Sequence, residues 1–260
     1  MTRLVVEGVG LESAWWGPAP EQAPTLVLLH EGLGSVALWR DIPARLAQAT
    51  ECGVFAYSRQ GHGESDPAPA RPLSYMHDEA GRLSAVLDAA GVRRAVLIGH
   101  SDGASIAAIH AGSRYDARVR GLVLLAPHVF VEEESIRGIE AARAAYQSGR
   151  LRDLLAPYHR DVDSTFWGWN RAWLDPAFRS WRIDEFIPYI RIPILLIQGD
   201  ADQYGTLAQL RAVDELAYGP VETVIIPAAR HSPHLDAPEI VLAAIAGFVH
   251  TLLSVHEAAI

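Results

Sequence analysis

The sequence predicts an α/β fold with a mostly parallel central sheet, helices on both faces of that sheet and an inserted helical cap. Short, nearly continuous apolar runs alternate with helix-like segments along the chain, as is typical of parallel strands covered on both faces. The alternation stops between residues 128 and 191, where no strand pattern is visible. A structureless loop of that length, about sixty residues, would be unusual in a compact domain, which favours an inserted subdomain.

The elements follow in order along the chain. The predicted strands are Thr25–His30, Val54–Ser58, Ala95–His100, Gly121–Ala126, Pro193–Gln198 and Val221–Pro227. The predicted helices between them are Leu38–Ala49, Ser74–Ala90, Asp102–Ala111, Thr206–Tyr218 and Pro238–Ser254. The first sixteen residues favour an additional antiparallel hairpin.

The chain therefore divides into a core, residues 1–127 and 192–260, and a cap, residues 128–191. Within the cap, Ser135–Gln147 and Asp175–Tyr189 are predicted to be helical. Four of the seven tryptophans lie in the cap. They either form a small core of the cap or line a pocket, and the sequence leaves both interpretations open.

Composition excludes several classes of function. All 22 basic residues are arginines and the net charge is −9, so we expect neither nucleic acid nor an anionic membrane as a partner. The absence of lysine excludes Schiff-base chemistry and Ser–Lys dyads. Cys52 is the only cysteine, which excludes an internal disulfide and a multi-cysteine metal site. The N-terminal apolar residues are interrupted by Glu7 and Glu12 and do not resemble a signal peptide, so we expect a cytoplasmic protein.

The strongest chemical signal is the pentapeptide Gly99-His100-Ser101-Asp102-Gly103. The motif G-x-S-x-G alone is weak, but here it directly follows a predicted strand and directly precedes a predicted helix. A sharp strand-to-helix turn needs glycine on both sides and raises the central serine above the carboxyl edge of the sheet. Ser101 is therefore the predicted nucleophile.

A nucleophilic serine needs a base, and the base needs an acid that orients it. Asp202 follows the strand Pro193–Gln198, and His231 follows the strand Val221–Pro227. Both lie at the carboxyl edge of the sheet, as Ser101 does. Asp200 is the alternative acid and His234 the alternative base, and the order of the elements alone does not choose between them.

Five motifs together resemble the α/β-hydrolase superfamily, and the resemblance covers nearly the whole chain. The block from Leu29 to Ser35 is similar to the oxyanion loop of that family, and Arg59–Ser65 to its R-x-G-x-G-x-S turn. The remaining three are the serine turn, Gly199-x-x-Asp202 and the histidine loop from His231 to Glu239. The register of the last two implies Asp202 as the acid and His231 as the base. The resemblance implies an oxyanion hole formed by the backbone N–H groups of Gly32 and Asp102. The resemblance is greatest to small carboxylesterases, enol-lactonases and C–C bond hydrolases with a helical cap.

The sequence departs from the family pattern at two positions. Glu31 stands where the family usually has glycine, directly after the histidine of the oxyanion loop, and its carboxylate could repel an oxyanion unless it is protonated or turned away. Arg230 stands where a glycine commonly precedes the catalytic histidine. Neither departure removes a catalytic group.

The sequence thus predicts a serine hydrolase that cleaves a small to medium carboxylic ester, lactone or thioester without a metal or cofactor. The alternatives are cleavage of a C–C bond in a vinylogous diketone and, more remotely, a non-catalytic ligand receptor. Both ends of the cap leave the sheet beside the serine, so we expect a lid over the site. The candidate pocket residues for a small-molecule substrate are His128, Phe166, Trp167, Trp169 and Trp173. The oligomeric state is left open, with a homodimer as one alternative.

Overall fold

A computed structural model describes residues 2–257 of the chain and contains, within that range, one eight-stranded sheet. The strands are β1 (Thr2–Val6), β2 (Val9–Trp16), β3 (Thr25–Leu29), β4 (Gly53–Tyr57), β5 (Ala95–His100), β6 (Val119–Leu125), β7 (Ile194–Gly199) and β8 (Val221–Ile226). The order across the sheet is β1-β2-β4-β3-β5-β6-β7-β8. Strand β1 pairs antiparallel with β2, as the sequence predicted for the N-terminal hairpin, and β2 pairs antiparallel with β4. Strands β3 to β8 run parallel to one another.

Two hydrophobic cores lie on opposite faces of the sheet. Alternate residues of one strand serve different cores: Leu26 and Leu28 belong to one, and Val27 and Leu29 to the other. This is the two-residue period of a strand that is covered on both sides. It explains why the central strands are continuous apolar runs in the sequence.

Helices cover both faces. Those of the core domain are α1 (Ile42–Thr50), α2 (Tyr75–Ala89), α3 (Asp102–Ser113), α7 (Ala208–Leu216), α8 (Pro233–Asp236) and α9 (Pro238–Glu257), and those of the insertion are α4 (Glu133–Gln147), α5 (Arg150–Leu155) and α6 (Val162–Leu174). Helices α1 and α9 pack on one face, and α2 and α3 pack on the other. No helix within residues 2–257 is both long and apolar enough to span a membrane.

The interval between β6 and β7 is helical, but not everywhere that the sequence suggested. The prediction of a helix over Asp175–Tyr189 is wrong, since this stretch contains only two short 3₁₀ turns, Pro176–Ser180 and Ile187–Tyr189. Pro188 would interrupt a longer helix, because proline has no N–H to donate. Between the two 3₁₀ turns, Arg182 pairs with Phe130 in an isolated β-bridge, and residues 184–186 form a further turn. Helix α6 was not predicted as a helix.

Candidate active site

Ser101 lies at the junction of β5 and α3 with a backbone conformation of φ 53° and ψ −119°. Such a conformation costs a non-glycine residue about 1–3 kcal/mol, and the surrounding structure must enforce it. Glycine is required on both sides: a Cβ at Gly99 would lie 2.3 Å from the carbonyl oxygen of Gly103, and a Cβ at Gly103 would lie 2.0 Å from that of Leu29. The turn predicted from the sequence therefore has a steric basis in these contacts.

The structure brings Ser101, His231 and Asp202 into one chain of hydrogen bonds. Ser101 Oγ lies 2.9 Å from His231 Nε2. On the other side of the ring, His231 Nδ1 lies 2.9 Å from each carboxylate oxygen of Asp202. All three residues are buried or nearly so. Their burial shields the transfer of protons between them from water.

Asp202 is held in this position by two further donors. The backbone N–H of Tyr204 donates to Asp202 Oδ1 at 2.8 Å, and the side-chain amide of Gln198 donates to Oδ2 at 3.1 Å. Burial by itself would raise the pKa of the Asp202 carboxyl, but the contacts with His231 and with the Tyr204 N–H hold that pKa below its ordinary value. The carboxylate is therefore ionised at neutral pH and fixed in orientation.

The alternative residues lie elsewhere. Asp200 accepts a hydrogen bond from the backbone N–H of Ala228 at 2.7 Å. The ring of His234 packs against His100 and Trp39, with centroids 4.7 and 5.2 Å apart. Burial lowers the pKa of His234 to about 3, so the ring is neutral. The geometry favours Asp202 over Asp200 and His231 over His234.

In the loop after β3, the contacts of the Glu31 carbonyl fix the orientation of the peptide that it shares with Gly32. The carbonyl of Glu31 accepts hydrogen bonds from Arg59 Nη2 at 2.9 Å and from the His30 ring at 2.7 Å. Because the C=O and N–H of a planar trans peptide point in opposite directions, the N–H of Gly32 is directed away from Arg59. Asp102 is the first residue of α3, where a backbone N–H has no partner within the helix.

The Asp102 side chain is a buried carboxyl beside this loop. Tyr75 Oη donates to Asp102 Oδ2 at 2.5 Å, and Trp173 Nε1 donates to Tyr75 Oη at 3.0 Å. Burial raises the pKa of Asp102, because the charged form is poorly solvated there. This network links the serine turn to helix α6 of the insertion.

A cavity of about 260 Å³ contains Ser101 and His231, and both Gly32 and Asp102 line it. Of the candidate pocket residues, His128, Trp169 and Trp173 also line this cavity. Its volume lies slightly below the roughly 300–1,000 Å³ of typical small-molecule sites, which favours a small ligand.

The assignment of Phe166 and Trp167 to the pocket is wrong. Phe166 is fully buried and stacks on Tyr146, with ring centroids 3.7 Å apart. Trp167 packs edge-on against both of these rings and lies under the guanidinium of Arg171. These two side chains serve the internal core of the insertion.

Sequence reasoning missed several residues that line the cavity. Leu151 and Leu155 of α5 form part of its apolar wall, and Tyr204 packs against the His231 ring at 4.7 Å. The spacing of the two leucines, four residues apart in a helix, was a usable signal for one shared face. Nothing in the sequence around Tyr204 indicated its position. His100, the residue before the serine, also lines the cavity.

Within residues 2–257, no group of three or more His, Cys, Asp or Glu side chains is arranged to hold a metal ion. His159 and Asp163, two residues of the insertion that could bind a metal by residue type, make separate contacts. Asp163 pairs with Arg152 at 2.9 Å, and His159 Nε2 lies 2.9 Å from the carbonyl oxygen of Leu33.

Buried histidines predict a loss of stability in mild acid. Burial lowers the pKa of His128 and His234 to about 3, against 6.5 for an unperturbed imidazole. Below pH 6.5 the unfolded chain binds protons that the native state excludes, so each of these rings costs about 1.4 kcal/mol per pH unit. From pH 7.5 to 5.5 we expect the free energy of unfolding to fall by about 3 kcal/mol from these two alone. Urea unfolding at the two pH values measures the change.

Other buried histidines whose pKa is lowered add to the same trend, namely His30, His62, His110 and His159. Substitution of His250, which is exposed, by glutamine provides the control and should leave the pH dependence unchanged. A free energy of unfolding that stays constant between pH 7.5 and 5.5 would show that these rings are protonated in the native state.

The chain belongs to the alpha/beta hydrolase family, whose model matches residues 26–244. It is similar to a 2-(acetamidomethylene)succinate hydrolase of Mesorhizobium japonicum, with 25% identity over 252 residues, 87% of this chain and 88% of the relative. Human monoglyceride lipase is 25% identical over 260 residues, 90% of this chain and 84% of the lipase.

Solved structures show the same fold. An enol-lactonase from Burkholderia xenovorans LB400 superposes with a TM-score of 0.74 at 19% identity, covering 97% of this chain and 100% of the enol-lactonase. At that level of identity the likeness concerns the fold alone. The family model confirms the expected superfamily, and the sheet together with the structural likeness confirms the expected fold class.

Proposed function

We propose that this hydrolase cleaves a small to medium carboxylic ester, lactone or thioester through an acyl-enzyme on Ser101. The observation that carries the proposal is the hydrogen-bonded chain from Ser101 through His231 to Asp202, opening into a mostly apolar cavity. A serine with this base and this acid is an activated nucleophile for acyl transfer.

The reaction proceeds in two halves. His231 Nε2 takes the Ser101 proton as Oγ attacks the carbonyl carbon, and the resulting imidazolium then gives that proton to the departing alkoxide. Water attacks the acyl-enzyme, His231 takes the proton of the water, and Ser101 leaves with that proton as the acid is released. Asp202 keeps the imidazole in the tautomer that has Nε2 free and stabilises the imidazolium.

Two backbone donors stabilise the tetrahedral intermediate in this proposal. The N–H of Gly32 is oriented by the bonds that Arg59 and His30 make to the preceding carbonyl. The N–H of Asp102 lies at the start of α3, where the helix dipole also favours negative charge. Loss of one such donor typically costs about 3 kcal/mol of transition-state stabilisation.

Residues 128–191 act as the lid of this site. Helices α5 and α6 contribute Leu151, Leu155, Trp169 and Trp173 to the cavity wall, so the insertion supplies most of its apolar surface. A lid of this kind excludes water, which strengthens the interactions with the oxyanion.

The proposal is tested by mixing the purified protein with p-nitrophenyl acetate and butyrate in a stopped-flow instrument. We expect a burst of p-nitrophenol close to one equivalent per chain when deacylation is slower than acylation, and turnover that saturates. Neither burst nor turnover with esters, lactones or thioesters would contradict the proposal. Hydrolysis of ring-fission dienones but not of esters would instead assign C–C bond cleavage to this site.

The lid predicts that Trp169 limits the length of the acyl chain. Trp169→Ala enlarges the cavity, so we expect the ratio of kcat/KM for the octanoate ester to that for the acetate ester to rise about tenfold, the discrimination available to apolar pockets. The matched control is Trp167→Ala, two residues away on α6 but outside the cavity. Equal chain-length profiles for both variants would exclude Trp169 from the acyl site.

A further inference from the structure

Glu31 places a carboxyl group on the wall of the active-site cavity, at the position where a glycine was expected. Its side chain is 29% exposed and lines the same cavity as Ser101 and His231. Burial would raise the pKa of the Glu31 carboxyl, but the nearby imidazole of His100 holds it well below its usual range. The group is therefore a carboxylate at neutral pH.

Within residues 2–257, the ion-pair partner of this carboxylate is His100, and the contact is long. Its nearest cationic candidate is His100 Nδ1, 3.6 Å from Oε2, which is beyond hydrogen-bond distance. The other nitrogen of that ring, Nε2, lies 2.7 Å from the carbonyl oxygen of His231 and is engaged there. Arg59, which contacts the same loop, directs its guanidinium to backbone carbonyls.

Apart from its histidines, the remaining wall offers no basic side chain. No arginine within residues 2–257 lines the cavity, and the chain has no lysine. The other carboxyl group on the wall, Asp102, is bonded to Tyr75. Three aromatic side chains, those of Trp169, Trp173 and Tyr204, line the same space.

We propose that Glu31 selects substrates that carry a positively charged ammonium group a few bonds from the scissile carbonyl. This inference rests on the proposed esterase function and names its substrate class. A carboxylate together with aromatic rings is the chemistry that binds ammonium groups, through ion pairing and cation–π attraction. The same wall repels anionic acyl groups, and the net charge of −9 favours the approach of cations to the protein as a whole.

The test compares substrates of equal shape and different charge. On the alcohol side the pair is acetylcholine and 3,3-dimethylbutyl acetate. On the acyl side it is the p-nitrophenyl esters of 4-(trimethylammonio)butyrate and 5,5-dimethylhexanoate. After correction for the rates of alkaline hydrolysis, we expect kcat/KM to favour the cation in one pair at least by about tenfold, which corresponds to about 1.4 kcal/mol.

Variants assign that preference to Glu31. Glu31→Gln keeps the shape of the side chain and should abolish the preference, while Glu31→Asp should retain it. Glu222→Gln removes the same charge from an exposed position on β8 and should leave the ratio unchanged. The ratio is insensitive to a general loss of kcat, which separates recognition of charge from damage to the oxyanion loop.

A wild-type ratio of about threefold or less in both pairs would overturn the inference, as would a ratio that Glu31→Gln leaves unchanged. If Glu31→Gln does not fold, competition in the wild type decides. Tetramethylammonium should inhibit competitively at concentrations at which tert-butanol does not, and equal inhibition by the two would also overturn the inference. Absence of turnover and of a burst with every ester would instead mark a failure of the proposed function.

Discussion

Replacement of Ser101 by alanine should reduce kcat/KM for the best ester by at least about 10³-fold, because Ser101, His231 and Asp202 act as one catalytic unit. Alanine cannot form the acyl-enzyme, and His231 then has no hydroxyl to deprotonate. The fold should persist, since the turn is held by Gly99, Gly103 and the bond from the Ser101 N–H to the carbonyl of Leu125, none of which involves the hydroxyl. Circular dichroism and steady-state kinetics on the same preparation measure both effects.

The control for this variant is Ser113→Ala at the exposed end of the same helix. It removes an identical hydroxyl far along α3 and should retain full activity. If Ser101→Ala kept more than a tenth of the wild-type turnover, another nucleophile would have to be sought.

Asp202→Asn should lower kcat on the order of 10³- to 10⁴-fold while the protein still folds. The asparagine amide can donate to His231 Nδ1, which would leave the single ring proton on Nε2, facing Ser101. The ring would then be unable to accept the serine proton. The Gln198 and Tyr204 donors that now bind the carboxylate would also lose a charged acceptor.

Asp200→Asn is the matched comparison, because it makes the same change two residues away. Asp200 bonds the backbone N–H of Ala228 and does not contact the histidine ring, so we expect a loss of less than about tenfold. Kinetics of the two variants under identical conditions decide the assignment. A larger loss for Asp200→Asn than for Asp202→Asn would transfer the orienting role to Asp200.

The sheet and the position of the serine were predictable because both depend on local patterns. Continuous apolar runs mark strands covered on both faces. Gly99 and Gly103 mark a turn that has no room for a side chain at either of these two positions. The wrong helix over Asp175–Tyr189 has a different origin. The spacing of its apolar residues resembles that of a helix, but Pro188 and the pairing of Arg182 with Phe130 interrupt a continuous helix.

The pocket was only partly predictable, for a physical reason that α6 illustrates. Phe166, Trp169 and Trp173 are spaced three and four residues apart and so lie on nearby faces of one helix. The sequence does not reveal that Tyr146 of another helix covers Phe166 and leaves the two tryptophans facing the cavity. Contacts between elements distant in the chain determine which aromatic residues remain available to a ligand.

The orientation of the Glu31 side chain likewise could not be predicted from the sequence. Its position within the oxyanion loop suggested repulsion of the oxyanion, unless the carboxyl group was protonated or turned away. In the structure the Glu31 carboxylate lies 3.6 Å from His100 Nδ1, which lowers the pKa of that carboxyl, while the backbone carbonyl of Glu31 orients the Gly32 N–H. The side chain and the backbone of one residue therefore serve different parts of the site.

The most direct test of the acyl-enzyme is to locate the covalent bond. The wild-type protein is treated with one equivalent of a p-nitrophenyl alkylphosphonate, which forms a stable analogue of the tetrahedral intermediate, and is then digested and sequenced by mass spectrometry. We predict one phosphonyl group per chain, on Ser101, with stoichiometric release of p-nitrophenol and loss of esterase activity in proportion to labelling. Labelling at another residue, or full activity in a fully labelled sample, would contradict the assignment of Ser101 as the nucleophile.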